Sequence, residues 1–242
     1  MNKTVKTKYL TIKEEYETKR RKLFEAMGLE RYSRPALNNL DRKLEKYLNY
    51  QQGFFIEVGG NDGYKQSNTY YYERFRDWTG ILVEGIPTLY EKCVLERPKS
   101  RVFNCALVEN GFPESHVTMR YANLMSLVQG AQKNEHAEES HVNKWLEREQ
   151  KKQTNSKSYE VQVPARTLTS ILDECLVDEI DFFSLDVEGY ELNVLQGLDF
   201  NKYRPKYMLI EARYKAEIEA YISEFYVKID QFSHHDFLYK CK

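Results

Sequence analysis

Phe54-Phe55-Ile56-Glu57-Val58-Gly59-Gly60-Asn61-Asp62-Gly63 decides the fold: an apolar strand runs into a loop with three glycines in five residues and two acids within reach. Glycines permit a tight turn and let a ligand approach the backbone where a Cβ would block it. The loop is therefore expected to hold a nucleoside-bearing cofactor. Its spacing is acid-x-Gly-x-x-x-Gly over Glu57, Gly59 and Gly63. A dinucleotide fingerprint requires Gly-x-Gly-x-x-Gly and a P-loop ends in Gly-Lys-Ser/Thr, and neither fits. Glu57 and Asp62 would repel a pyrophosphate at close range, whereas both can accept hydrogen bonds from a cationic amino-acid ligand. That combination predicts S-adenosylmethionine (SAM). Taken alone, the motif also fits a tight β-turn-α connection that binds nothing.

Around this stretch the pattern alternates. Strands are expected at Gly53 to Val58, Gly80 to Glu84 and Arg101 to Leu107, with helices at Asn68 to Asp77 and Leu89 to Arg97 between them. Strand-helix-strand-helix-strand is the signature of a parallel sheet. Ser67 sits at an N-cap position, which leaves the loop from Gly59 to Gln66 over the sheet's carboxyl edge, where ligands bind. Alternation resumes with strand Glu160 to Val163, helix Leu168 to Glu174, strand Ile180 to Asp186, helix Leu192 to Gly197 and strand Tyr207 to Ala212. The chain closes with a hairpin of Phe225 to Phe232 and Asp236 to Cys241 around Ser233-His234-His235.

Before the sheet, residues 1–50 read as a helical extension, with an amphipathic stretch from Ile12 to Met27 and a second helix from Leu37 to Leu48. The remaining residues, 51–242, read as one domain, since 242 residues suit a single α/β core with an appendage. Gly130 to Tyr159 is nearly all charged or amidic apart from Val142, Trp145 and Leu146. It reads as a solvated insertion, or else as a lid carrying His136 and His141 over a substrate.

With 36 basic and 37 acidic side chains the net charge is −1, so no global field favours nucleic acid or an anionic membrane. No segment has the ~18 consecutive apolar residues of a membrane span, and the N-terminus lacks the apolar core of a signal peptide. The cysteines Cys93, Cys105, Cys175 and Cys241 are scattered without zinc spacing, so reduced thiols and a cytoplasmic location are expected. The 19 tyrosines offer rings that pack on one side and stay polar at the tip, and with Trp145 they suggest stacking on a sugar.

Two further stretches carry chemistry. Ile81-Leu82-Val83-Glu84 brings an acid to the sheet edge beside the glycine loop, where a carboxylate can accept both hydroxyls of a ribose. An NAD enzyme uses the same device. Asn104, Cys105 and Ala106 end the third strand where an adenine would lie, and small residues there leave room for a flat ring. Ile180 to Asp186 then emerges into Asp186-Val187-Glu188-Gly189. Paired acids at an open sheet edge fit a general base toward a hydroxyl, an acceptor for a cofactor amino group, or ligands to a divalent cation, in that order for Asp186. Candidate bases are Asp186, Glu188, Glu211 and His235, with His234 behind it. Mg²⁺ on Asp186, Glu188 and Glu211 or His235 is a lesser expectation than a metal-free site. Glu191 fits a first-turn acid favoured by the helix dipole.

The quoted loop, together with Ser67-Asn68-Thr69, Trp78-Thr79-Gly80-Ile81-Leu82-Val83-Glu84, Val163-Pro164-Ala165-Arg166-Thr167-Leu168 and Asp186-Val187-Glu188-Gly189-Tyr190-Glu191, resembles the FkbM family of SAM-dependent methyltransferases, from about Leu40 to Tyr239. The resemblance implies a class I methyltransferase fold, a seven-stranded sheet with an antiparallel last strand. It implies methyl transfer mostly to hydroxyl oxygens of sugars, glycolipids or natural products. It also implies that Glu57, Gly59, Gly60, Asn61, Asp62 and Gly63 cradle the methionine part of SAM, that Glu84 holds the ribose, and that Asp186 lies near the transferred methyl. With Ser67, Asn68, Asn104 and Ala106 these complete the expected cofactor set. One departure is visible: Gly85 stands where the family often has proline, and proline is delayed to Pro87. The alternatives are a methyltransferase-like module that binds without catalysing and, with the wrong glycine spacing, an NAD-dependent oxidoreductase. The acceptor and the oligomeric state are not legible.

Overall fold

The computed structural model of the chain describes residues 3–121, 127–128 and 159–242. Helix α1 (Lys3–Ala26), a 3-10 turn (Leu37–Asn39) and α2 (Leu40–Leu44) precede the sheet. There follow β1 (Phe54–Val58), α3 (Tyr70–Phe75), β2 (Thr79–Val83), α4 (Pro87–Glu96) and β3 (Ser100–Phe103). Next come β4 (Ala106–Leu107), β5 (His116–Tyr121), β6 (Leu127–Val128), β7 (Tyr159–Arg166) and α5 (Leu168–Cys175). The last elements are β8 (Phe182–Leu185), α6 (Glu191–Gln196), β9 (Tyr207–Glu211), α7 (Lys215–Ile222), β10 (Tyr226–Gln231) and β11 (Asp236–Cys241).

The main sheet has the order β10-β11-β9-β8-β1-β2-β3. All neighbours pair in parallel except β11, which is antiparallel to both β9 and β10. This is the seven-stranded α/β class I methyltransferase sheet with its reversed last strand, as expected. From β1 the chain winds outward through β2 to β3, and from β8 it winds the other way to β9. The order reverses between β1 and β8, and a crevice opens outside the carboxyl ends of strands at such a switch point.

Side chains alternate between two apolar layers because successive strand residues face opposite sides. Phe55, Leu82, Phe182, Leu209 and Leu238 pack with Trp78, Tyr71, Tyr72, Leu40, Leu44 and Leu48 on one face. Ile56, Val83, Phe183, Leu185, Ile210 and Phe237 pack with α5, α6 and α7 on the other. Residues 36–48 are thus part of the first layer. Trp78 has no exposed surface, its indole N–H donates to the Tyr50 carbonyl at 3.0 Å, and its ring lies against Tyr50 and Tyr72.

Three expectations need correction. The strand read as Arg101 to Leu107 breaks at Asn104-Cys105, and its second half, β4, leaves the main sheet to pair with β7. The strand read as Glu160 to Val163 is longer and lies in this second sheet, β4-β7-β5-β6, rather than the first. Strand β5 was not anticipated, because His116-Val117-Thr118-Met119-Arg120-Tyr121 has too few apolar residues to announce itself. Antiparallel pairing with β7 over Tyr121↔Tyr159 to His116↔Pro164 supplies what the pattern lacks. The stretch read as an insertion or lid, with His136, His141 and Trp145, lies outside the described residues. Among the described residues no helix is long and apolar enough to cross a membrane, and all four cysteines are unpaired.

Trp78→Ala removes the largest fully buried side chain and leaves a cavity between α2, α3 and the sheet. It should cost about 3–5 kcal/mol, to be read as a lower midpoint in urea unfolding with an unchanged slope.

Candidate functional site

A cleft with about 940 Å³ of free space, part of it open to solvent, lies at the switch point. The ends of β1, β2 and β8 contribute Glu57, Val58, Gly59, Val83, Glu84, Ser184 and Asp186. Cys105, Ala106, Leu107 and Met119 line its other wall.

The glycine loop and the Asp186 strand end are one unit. Gly59 has φ +89°, and a Cβ there would stand 2.2 Å from the Asp186 carbonyl oxygen, so no other residue fits. The Asp186 N–H donates to the Val58 carbonyl at 3.2 Å, and both Gly59 and Gly60 N–H donate to Val83 at 3.1 Å. The floor of the loop is a buried ionic cluster. Arg97 donates through Nε to Glu73 at 2.9 Å, and through Nη1 to Glu57 at 3.2 Å, Ser67 Oγ at 3.1 Å and the Gly63 carbonyl at 3.3 Å. Its Nη2 donates to Thr69 Oγ1 at 2.8 Å. Arg97, Glu73 and Glu57 are all buried.

This cluster gives Glu57 a structural role beside the one expected of it. Its carboxylate accepts from Asn68 N–H at 2.8 Å, Ser67 Oγ at 2.8 Å, Thr69 Oγ1 at 2.5 Å and Arg97. Three of these donors crowd Oε2 while Oε1 takes the Asn68 N–H alone, so Glu57 braces the loop and, lining the cleft, keeps an acceptor site on Oε1. Asp62 is likewise engaged, accepting from Tyr64 and Lys65 N–H at 3.1 and 2.7 Å, with Lys65 Nζ at 3.4 Å. Gly60, Asp62, Gly63 and Ser67 do not line the cleft. Nor is Ser67 the N-cap expected of it: α3 begins at Tyr70 with Thr69 as its N-cap, and the Ser67 hydroxyl accepts from Tyr70 N–H at 3.0 Å. Asn104 also stays outside, where its amide donates to the Glu84 and Gly85 carbonyls at 2.8 Å each and pins the turn after β2.

Glu57, Gly59, Asn61, Asn68, Glu84, Ala106 and Asp186 do reach the cleft. Glu84 is oriented by the N–H groups of Asn61 at 2.8 Å and Ile86 at 2.7 Å, leaving lone pairs that face the cavity free to accept. Burial pushes its carboxyl up to about 7, against the lowering effect of those two amides. Asn68 donates to Ser184 Oγ at 3.0 Å, while its Oδ1 is buried without a partner. A buried acceptor that no protein donor satisfies calls for a ligand donor or water. The departure at Gly85 also has a cause: a Cβ there would lie 2.1 Å from Met119 Sδ, so the flexible Met119 side chain occupies the space beside it and becomes part of the cleft wall.

At the other end stand Asp186, Glu188 and Glu211, whose ligating atoms lie within 4.8 Å of one another. Two effects push Asp186 well above the ordinary carboxylate range: first the protein packed around it, then the charges of Glu211 and Glu188. Its side chain is nonetheless open to solvent at the cleft mouth, so the like-charge effect is the one that sets the direction. Glu188 rises to about 7 through burial, opposed by its ion pair with Arg213. It adopts a left-handed backbone with φ +56°, a strained conformation for a non-glycine residue. Glu191 begins α6, accepts from Gly189 N–H at 2.8 Å, and is pushed by burial to about 7.

A second, smaller cavity meets the first at Gln66, Asn68, Ser184 and Asp186, and is walled by Leu37, Leu40, Leu209, Glu211 and Asp236. The terminal hairpin reaches this edge as expected, with Ala212 N–H donating to the His235 carbonyl at 2.8 Å. It is Asp236, paired in register with Glu211, that lines the cavity. His235 is exposed and lines neither cavity, and the described acid cluster is Asp186, Glu188 and Glu211 without it. The sequence reading missed Arg97, Arg213, Gln66, Met119 and Asp236. Only Asp236 carried a signal, as the first residue of a strand expected at the ligand edge.

Comparison with known proteins agrees with this arrangement. Residues 57–240 match the family described as the methyltransferase FkbM domain. No curated protein matches the chain. Among solved structures, a TehB-like SAM-dependent methyltransferase from Corynebacterium glutamicum ATCC 13032 Kitasato is 9% identical with a TM-score of 0.40, covering 100% of both chains. That likeness is too distant to add to the strand order itself.

Arg97→Met should leave Glu57 and Glu73 buried without a cation and cost about 3–5 kcal/mol, measured by chemical denaturation at neutral pH. The raised carboxyls give a second expectation. A folded-state value above the unfolded one stabilises the fold fully below about 4.5, and the benefit is lost as pH rises through about 7. The unliganded wild type should therefore lose on the order of 2–3 kcal/mol relative to Glu84→Gln between those limits, and parallel stability curves for the two proteins would contradict it.

Proposed function

The chain belongs to the FkbM methyltransferase family, and from that premise we propose that it methylates a hydroxyl oxygen of a sugar, a glycan or glycolipid, or a natural product. The observation that carries this reading is the carboxylate group at the junction of the two cavities. When bound, SAM supplies an electrophilic methyl on a positively charged sulfur. Glu84 is oriented to accept from its ribose, the small residues Cys105 and Ala106 leave room for its base, and Asn68 Oδ1 offers an unused acceptor. These residues fit the cofactor.

Asp186 belongs to both cavities, so an acceptor in the smaller one has its hydroxyl beside a carboxylate whose proton affinity is raised above the ordinary carboxylate range. A base tuned that way takes a proton efficiently without being permanently charged. Glu211 shares a hydrogen bond with Asp186, and Glu188 is held by Arg213. Asp186 is thus the general base in this reading, and its two neighbours tune it. The four unpaired cysteines favour a cytoplasmic setting. The clustering of three carboxylates favours a second reading, in which they hold Mg²⁺ and the cation orients the acceptor oxygen.

Asp186→Asn keeps the shape and one acceptor oxygen while removing charge and basicity. It should leave stability within about 1 kcal/mol, preserve S-adenosylhomocysteine binding, and lower kcat roughly 10²-fold or more in transfer of labelled methyl to extracts of glycans and metabolites. Near-normal turnover would remove Asp186 as the base. Loss of turnover on exhaustive chelation, restored by Mg²⁺, would select the second reading.

A further inference from the structure

The smaller cavity, which meets the cofactor cleft at Asp186, takes part of its wall from outside the matched domain. Leu37 and Leu40 line it, and both precede residue 57, where the match to the FkbM family begins. Its free space of about 390 Å³, part of it open to solvent, is in the range of small-molecule sites. Leu40 is buried in the layer that also holds Leu209 and Leu238. Leu37 keeps 52% of its surface exposed, so it stands at the mouth of the cavity rather than in the core.

The chain does not reach this position by helix propensity. Asn38 and Asn39 are both left-handed, with φ +52° and +56°, a conformation rarely adopted by residues other than glycine, asparagine and aspartate. Two in succession persist only where the surroundings fix them. Those surroundings are the glycine loop and the helices on either side. Ala36 pairs with Gln66 in a parallel bridge, and Gln66 lines both cavities. Tyr64 donates to the Tyr32 carbonyl at 2.7 Å, and Arg21 of α1 lies over the Tyr64 ring at 3.6 Å. Glu25 accepts from Ser33 at 2.7 Å and Tyr70 at 2.9 Å. Beyond the two asparagines, Asp41 is buried and its carbonyl accepts from the Tyr72 hydroxyl at 3.1 Å. Leu37 is therefore carried on a braced segment.

The cavity has two chemical characters. Leu37, Leu40 and Leu209 supply apolar surface, while Asp186, Glu211 and Asp236 supply carboxylates. Glu211 and Asp236 are cross-strand partners, and Glu211 has its ligating atom within 4.8 Å of that of Asp186. Carboxylates gathered in this way accept from hydroxyl donors and repel an anion, and leucine side chains at a cavity wall favour an apolar group. We infer that Leu37 is a specificity-determining residue for the acceptor, and that the acceptor carries an apolar group beside its reacting hydroxyl and no negative charge. The inference rests on the methyl-transfer reading with Asp186 at the reacting end. It deepens that reading in two ways: the selecting residue lies in the N-terminal extension, and phosphorylated or carboxylated sugars fall outside the acceptor class.

Transfer of labelled methyl from SAM by the full chain to extracts of glycans and metabolites tests it. The labelled product should pass through an anion exchanger and be retained on a reversed-phase column. With the extract fraction that yields this product used at varied dilution, Leu37→Ala should raise the acceptor KM about tenfold while kcat and the KM for SAM stay as in wild type. Leu37→Met should restore the wild-type KM, and Leu37→Asp should lower kcat/KM further than Leu37→Ala does. Leu29→Ala changes an exposed leucine of the same extension that lines neither cavity, and should match wild type. Equal S-adenosylhomocysteine affinity by calorimetry and equal thermal midpoints verify that the cofactor site and the fold of each variant are intact. An unchanged acceptor KM in Leu37→Ala, a loss of S-adenosylhomocysteine affinity as large as the loss of transfer, or a labelled product held by the anion exchanger overturns the inference and leaves methyl transfer standing. A wild type that labels nothing in any extract overturns the methyl-transfer reading and this inference with it.

Discussion

A single buried guanidinium carries the architecture of the site. Arg97 closes α4 with no exposed surface, and its five N–H donors reach two carboxylates, two hydroxyls and a backbone carbonyl. Placing a charge in such a position is costly unless every partner is in place, so the cluster is satisfied as a unit or fails as one. Its partners come from β1, the glycine loop, the residues leading into α3 and α3 itself. The loop over the cleft therefore inherits its shape from a salt bridge beneath it rather than from a ligand above it. Glu57, the acid that first draws attention in the sequence, works for the fold.

The cleft above this cluster has opposite chemistry at its two ends. Toward β2 and β4 it is small and apolar, with Glu84 clamped by two amide groups. Toward β8 and β9 it is crowded with carboxylates: burial and the neighbouring charges raise the proton affinity of Asp186, and burial above all raises that of Glu188. Arg213 is the cation that tempers the crowding. The close approach of Gly59 to the Asp186 carbonyl joins the two ends, since no side chain separates the glycine loop from the end of β8.

Much of this was legible in the sequence. Strand positions in the main sheet followed from runs of apolar residues ending in acids, and Glu84, Asp186 and the glycine loop were placed correctly at the carboxyl edge because a parallel sheet aligns those ends. Glu188, Glu211 and the terminal hairpin arrived at the same edge for the same reason. Illegible was which acids face the ligand. Asp62 looks like a ligand acceptor, but it accepts from Tyr64 and Lys65 N–H and does not line the cleft, and Glu57 gives Oε2 to Ser67, Thr69 and an arginine 40 residues on. His235 looks like a base, but the pleat of β11 turns Asp236 to the cavity. Strand β5 required its partner β7 to exist at all.

The sequence by itself determined the class of fold, the family and the edge of the sheet at which chemistry occurs, because periodicity, glycine spacing and acid placement are local and the parallel sheet turns them into position. Only the tertiary structure decided the division of labour among the acids. Whether a carboxylate is saturated, oriented or raised in proton affinity depends on donors and charges brought from distant segments, and no local pattern records them. The same holds for α1, whose amphipathic pattern was visible but whose bound face was set only once Arg21 and Glu25 had found their partners.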